Sequence, residues 1–292
     1  MSEASSPSME QIRQALAPLY SSTQQLDAAL LQFADRSAAA SQTPPGSPTA
    51  SEHARSGEDP QPDPDLDLDL DRLQRCGFPE VVYGRGKSAI LVVRILRRQR
   101  AASQPGLVTR VSAEQVEALT REFPDAVHNP LAGTVRLPLP SAIPPDAQSS
   151  RGGPVIVVTA GSSDRPVAEE AIETLRWMQI ECQLISDVGV AGPQRLLRHV
   201  PQLRQAVAIV CVAGMEAALP SVVGGHVACP VIGVPTSVGY GASFQGVTAM
   251  LSMLTCCASN VVAVNIDAGF KGGYVAGLIA VRCVRAQNPP AC

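Results

Sequence analysis

Between residues 154 and 267, short apolar runs recur, most of them closing on glycine or small polar residues. They read PVIVVTAG (154–161), CQLISDVG (182–189), AVAIVCVAG (206–214), PVIGVP (230–235) and NVVAVNID (260–267). Helical patterns separate them: RPVAEEAIETLRWM (165–178), QRLLRHVPQLRQ around Pro201, EAALPSVVGGHV, SFQGVTAMLSML (243–254) and a final GGYVAGLIAVRCVRA. Strands that are apolar without alternation are buried on both faces, and their alternation with helices predicts an open parallel sheet covered on two sides. Ligands in such sheets bind outside the carboxyl ends of the strands. The segments there read AGSSD, SDVGVAG, AGMEAALP, PTSVGYGAS and NIDAGFKGG. Their glycines and small polar residues let backbone N–H groups approach an anion.

Composition narrows the partners. The 292 residues are 45% hydrophobic, enough for a sizeable core, but only 3% aromatic, so that core is built from Ala, Val, Leu and Ile. A net charge of −3 removes the electrostatic basis for nucleic-acid or anionic-membrane binding and leaves small ligands as the expected partners. Eight cysteines include no C-x-x-C pair and the four histidines are scattered, so neither a zinc site nor a disulfide framework is read from them. A reducing compartment follows as the default. The start, MSEASSPSMEQIRQAL, resembles neither a secretory signal nor an Arg-rich transit peptide. Glu216, Pro220, Gly224, Gly225 and Pro230 break the longest apolar region, so a soluble, cytoplasmic protein is expected.

Upstream, Ile12, Leu16, Leu19, Leu26, Leu30 and Phe33 fall at helical spacing and predict a helical extension over 1–36. Residues 37–65 are rich in Ser, Pro, Ala, Gly and acids and read as a disordered linker. A small α/β domain is expected over 66–150. Leu66–Asp71 fits a strand or an acidic helix start, Val81–Tyr83 a strand, Gly84 and Gly86 a turn, and Ser88 a helix cap. Leu107–Val111 is a second strand, and Ser112 opens a helix with Val116 and Leu119 on one face. A Pro-rich connector, 138–154, leads to the sheet domain at 151–285, followed by a flexible tail at 286–292.

The blocks VTAGSSDRPVAEEA, DVGVAG, AGMEAALPSVVGG, PVIGVPTSVGYGASFQG and VNIDAGF, with LDLDRLQRCGFPEVVYGRGK upstream, resemble the LarB family over about residues 66 to 282. The resemblance implies a three-layer, flavodoxin-like PurE-type domain behind a small α/β domain. It also implies conversion of nicotinic acid adenine dinucleotide, CO2 and water to pyridinium-3,5-biscarboxylic acid mononucleotide and AMP, with Mg2+ accompanying the substrate phosphates and a homo-octamer formed through the PurE-like domain.

On the family pattern Cys257 in MLTCCASN is the nucleophilic thiol, with Cys256 as packing, and Glu216 is the base that removes the ring C5 proton. Ser163 and Asp164 match a turn expected to contact phosphate or ribose. Asp187, Gly189, Arg195, Thr236, Ser237 and Tyr240 lie in the other matching turns as candidate substrate contacts. No metal ligand is assigned. Gln194 stands where relatives often have His, and Lys271 where a small residue is usual. An aminoimidazole ribonucleotide carboxylase or mutase is the alternative enzyme, disfavoured because VAGPQR replaces the histidine-bearing S-A-H-R-T-P block. A non-catalytic nucleotide-binding scaffold is the alternative of a different class.

Overall fold

A computed structural model describes residues 67–139 and 152–287. The expected N-terminal helices, the linker and most of the Pro-rich connector lie outside the described residues. So does the tail apart from its first two residues, which end the last helix. Every described residue belongs to one compact unit, Pro62–Cys292. Among them no helix is long and apolar enough to cross a membrane.

The smaller domain comprises α1 (Arg72–Cys76), β1 (Val82–Tyr83), α2 (Ala89–Ala101), β2 (Gly106–Thr109), α3 (Ala113–Glu122), β3 (Val127–Asn129) and β4 (Thr134–Leu137). Residues 67–71 form no strand; Asp71 stands at the N-cap position of α1, without a side-chain cap bond, in keeping with an acidic helix start. Ser88 caps α2 by accepting from the Leu91 amide at 3.2 Å, as its position predicts. Ser112 and Gln115 cap α3 reciprocally. The sheet order is β1-β2-β4-β3, with β1 parallel to β2 and the remaining pairs antiparallel. The hairpin β3–β4 is absent from the sequence expectation because each strand is only three or four residues long and neither shows a clean alternation. Val92, Leu96, Val108, Leu119 and Val135 are fully buried between this sheet and its two longer helices.

The larger domain holds β5 (Val155–Thr159), α4 (Arg165–Trp177), β6 (Cys182–Ile185), α5 (Pro193–Leu197), α6 (Val200–Leu203), β7 (Ala208–Ala213), α7 (Leu219–Gly224), β8 (Val231–Pro235), α8 (Val247–Leu254), β9 (Val261–Ala263) and α9 (Gly269–Gln287). All five strands are parallel, as the alternation predicts, in the order β6-β5-β7-β8-β9, the flavodoxin-like arrangement that the resemblance implies. The central strands β5, β7 and β8 are buried at every residue, which explains their unbroken apolar runs. One apolar cluster joins them to α4 and α9, and another joins them to helices α5 to α8. The segment 193–203 breaks into two short helices, with Pro201 in the first turn of the second. Before α8 the chain kinks at Phe244 and Gln245, both at positive φ, so that helix starts at Val247.

Helix α9 approaches α4 through Gly269, Gly273 and Gly277. A Cβ at Gly273 would lie 2.6 Å from the Ala171 carbonyl, and one at Gly269 2.1 Å from that of Val167. The small domain packs beside this helix pair. Phe78 meets Trp177 and Tyr274 with ring centroids 5.8 Å apart in each case, and Trp177 Nε1 donates to the Pro105 carbonyl at 3.1 Å. Three buried carboxylates on α4 complete the seam. Glu169 and Glu173 accept from Asn129, Glu173 also from Arg136 at 3.2 Å, and Glu170 from Arg110 at 3.0 and 3.2 Å.

Burial pushes the Glu173 carboxyl up, but hydrogen bonds from Arg176, Asn129 and Arg136 and the Arg136 charge outweigh it and hold the group below its ordinary value. A depressed folded value stabilises the fold above the unfolded carboxylate range, and that stabilisation is lost as pH falls through the folded value. Glu173→Gln is therefore expected to cost about 3 kcal/mol at neutral pH. Urea unfolding should show the gap between variant and parent narrowing at pH 3. An equal gap at both pH values would mean that ionised Glu173 contributes nothing to this seam.

Candidate active site

The strand order reverses at β5 and β7, and their carboxyl ends carry Gly161–Asp164 and Gly214–Ala217. Asp164 organises this rim. It is only 3% exposed; Oδ2 accepts from the Gly161 amide at 2.9 Å and Oδ1 from the Thr236 hydroxyl at 2.7 Å. The Gly214 amide adds a third donor. Burial pushes the Asp164 carboxyl up, these three donors pull it back, and Asp267 adds a further upward push. Asp164 and Thr236, expected to touch substrate, thus tie the ends of β5, β7 and β8 together, and Thr236 is wholly buried.

The other turns lie around this knot. Ser163 is exposed beside Asp164. Asp187, after β6, pairs with Arg195 at 2.7 Å, so the candidate phosphate-binding guanidinium already holds a carboxylate. Gly189 is required by close approach, because a Cβ there would lie 2.8 Å from the Ala160 carbonyl. Ser237 is exposed, and its amide donates to Asp267 Oδ1 at 2.8 Å. Tyr240 is 81% exposed on the same rim.

Glu216 is exposed, and its carboxylate has no hydrogen-bond or ion-pair partner among the described residues. Its neighbours Met215 and Ala217 both have positive φ, at 55° and 51°. Six of the nine described non-glycine residues with positive φ (Asp187, Met215, Ala217, Phe244, Gln245 and Asp267) fall in the turns after β6 to β9. Backbone strain of this kind, roughly 1–3 kcal/mol per residue, concentrates where a fold holds functional groups in place. Asp267 escaped the sequence reading: its carboxylate fixes Ser237, and its carbonyl accepts from Arg110 of the small domain. NIDAGF was legible as a rim turn, but nothing in it marks the aspartate as the fastener.

Cys257 does not join this group. Thr255 caps α8, and Cys257 is exposed two residues beyond it, clear of the helix end. Val261 pairs with Val231, and Val231 with Ile209, so the residues just before β9 lie at the amino ends of the strands. Asn260 fastens that segment by donating to the carbonyls of Gly224, Val227 and Cys229 at 3.1–3.2 Å. Six residues of β7 span roughly 17 Å, and Glu216 lies beyond them at the opposite end. Cys256 is half-buried with Sγ turned to the Ala258 carbonyl at 3.9 Å, consistent with packing. Burial pushes the Cys211 thiol up, and that of Cys182 up to about 11, which keeps both protonated. Among the described cysteines only Cys76 and Cys257 are exposed.

The rim carboxylates do not form a ligand set: among the described residues no three His, Cys, Asp or Glu side chains cluster to hold an ion.

Residues 65–138 match the LarB/PurE-like N-terminal domain and residues 154–291 the AIR carboxylase family. The chain is also 39% identical over 215 residues to a protein of Methanocaldococcus jannaschii described as uncharacterized, which covers 70% of this chain and 80% of that protein. The two matched regions coincide in order with the smaller and the larger domain described above and are those of a carboxylase-type family. The chain belongs to the LarB family.

Proposed function

We propose that the chain carboxylates the pyridinium ring of nicotinic acid adenine dinucleotide at C5 with CO2 and hydrolyses the phosphoanhydride, releasing AMP and pyridinium-3,5-biscarboxylic acid mononucleotide. The observation that supports this reading is that the chain carries both reactive groups accessible, the exposed thiol of Cys257 and the exposed, unpartnered carboxylate of Glu216. A pyridinium C5 is too electron-poor to attack CO2. Addition of the Cys257 thiolate at C4 converts the ring to a dihydropyridine, in which C5 is an enamine carbon that bonds to CO2. Glu216 then takes the C5 proton, and the electron pair released expels the thiolate and restores the aromatic ring. The substrate's own positive charge compensates a thiolate that no described cation partners.

One chain does not bring the two groups together, so this chemistry requires Cys257 and Glu216 from different copies. The surface has the character for such assembly. Val247, Leu251 and Leu254 form an exposed stripe along α8. Phe244 at 66% exposure and Met215 extend it to the rim of Glu216, while Leu254 at 61% ends it three residues before Cys257. These exposed apolar residues support an association face, along which a second copy would carry one chain's thiol toward another chain's carboxylate. We therefore propose a homo-oligomer, with the octamer as the expected state.

Incubation with the dinucleotide, bicarbonate and Mg2+ followed by mass spectrometry is expected to show a mononucleotide one CO2 heavier together with AMP. Aminoimidazole ribonucleotide turnover would favour the alternative enzyme, and tight binding without conversion a scaffold. Cys257→Ala is expected to abolish product while retaining nucleotide binding, and Cys256→Ala to keep most of the turnover; the reverse pattern would move the nucleophile by one residue. Mixing and reassembling Cys257→Ala with Glu216→Gln should restore measurable activity that neither variant has alone. A mixture as inactive as its parts would refute the shared site. Light scattering of Leu251→Asp/Leu254→Asp should show smaller species with lost turnover.

A further inference from the structure

The small domain contains a second parallel strand–helix–strand unit, β1-α2-β2, and a cavity of about 520 Å3 opens at the carboxyl ends of its two strands. That is the end at which parallel units receive ligands, and the size suits a nucleotide. The turn after β1 reads Gly84-Arg85-Gly86-Lys87-Ser88, with Gly86 at φ +80°. Buried Gln115 grips this turn from inside, donating to the Gly84 and Lys87 carbonyls at 2.7 Å each. A Cβ on Gly84 would lie 2.7 Å from Gln115 Oε1, so glycine is needed for that grip. The Arg85 and Gly86 amides, by contrast, have no acceptor among the described residues.

The lining has uncompensated charge. Arg85, Lys87 and Arg110 face one carboxylate, Glu170, so three positive charges minus one negative leave two. Glu170 is already satisfied by Arg110 at 3.0 Å. Arg85 has no ion-pair partner among the described residues, and Lys87 Nζ donates only to the Tyr83 carbonyl at 3.0 Å. Two cations that pair with no carboxylate and two amides without an acceptor thus line one cavity. Exposed Leu131 and half-buried Val167 supply an apolar wall of the kind a base or sugar packs against.

We propose that this cavity binds the 5′-phosphate end of a nucleotide, with Arg85 and Lys87 as the phosphate contacts and Leu131 against the nucleoside. On the proposed reaction, which this extension rests on, the nucleotide is the adenylate half of the substrate. Arg110 links the two sites directly, since its guanidinium binds Glu170 in the cavity wall and the carbonyl of Asp267, whose carboxylate positions Ser237 on the catalytic rim.

Calorimetric titration of the full-length chain with AMP, and separately with inorganic phosphate, tests this. Arg85→Ala/Lys87→Ala, with circular dichroism confirming the fold, should weaken AMP binding about ten-fold or more and flatten its salt dependence. Leu131→Ala should weaken AMP but not phosphate. Cys257→Ala should bind AMP as the parent does. AMP binding unchanged in the double variant, or phosphate binding without AMP binding, would overturn the proposal. If the dinucleotide is not carboxylated but AMP binding still depends on Arg85 and Lys87, the cavity assignment stands and the reaction assignment falls.

Discussion

A single buried carboxylate holds the rim together. In a parallel sheet, hydrogen bonding fixes the strands along their length but leaves their carboxyl-end turns free to diverge. Asp164 gathers three of them through the Gly161 and Gly214 amides and the Thr236 hydroxyl. A carboxylate so poor in water is costly unless each oxygen has a donor, and here both do. The same arrangement depends on glycine at 214, where a Cβ would lie 2.6 Å from the Thr236 hydroxyl and 2.4 Å from the Val238 carbonyl. Glu216 owes its position to this knot, because it extends from a turn whose root is fastened at Gly214 and whose flanking residues are both held at positive φ.

Much of this was readable from residue patterns. The unbroken apolar runs around Val157, Val210 and Ile232 announced strands buried on both faces, and those residues are wholly buried. The caps at Ser88 and Ser112 were legible because a hydroxyl before a helical pattern has one obvious use. The β3–β4 hairpin was not, since three residues cannot display a period. Nor was the split of the helix at 193–203, where Pro201 fits a helix start as well as a break.

The candidate site was legible as a set of turns but not as a geometry. Glycine and hydroxyl residues identified the rim; they did not reveal that Asp164 and Thr236 face inward, or that Arg195 is occupied by Asp187. Cys257 was found only through a matching block, and its distance from Glu216 is a property of topology: a helix that leaves one end of a parallel sheet must deliver the chain to the other. Pairings such as Arg110 with Glu170, 60 residues apart, leave no trace in local pattern at all.

The glycine ladder on α9 has a consequence for how the chain tolerates change. Where Gly269, Gly273 and Gly277 meet α4, neighbouring atoms occupy the space a methyl group would take. At Gly277 the obstacle is the movable end of Met178, but at Gly269 and Gly273 it is the α4 backbone itself. A side chain at either position would have to prise the helices apart, so the pair acts as a keel on which the rest of the chain is hung.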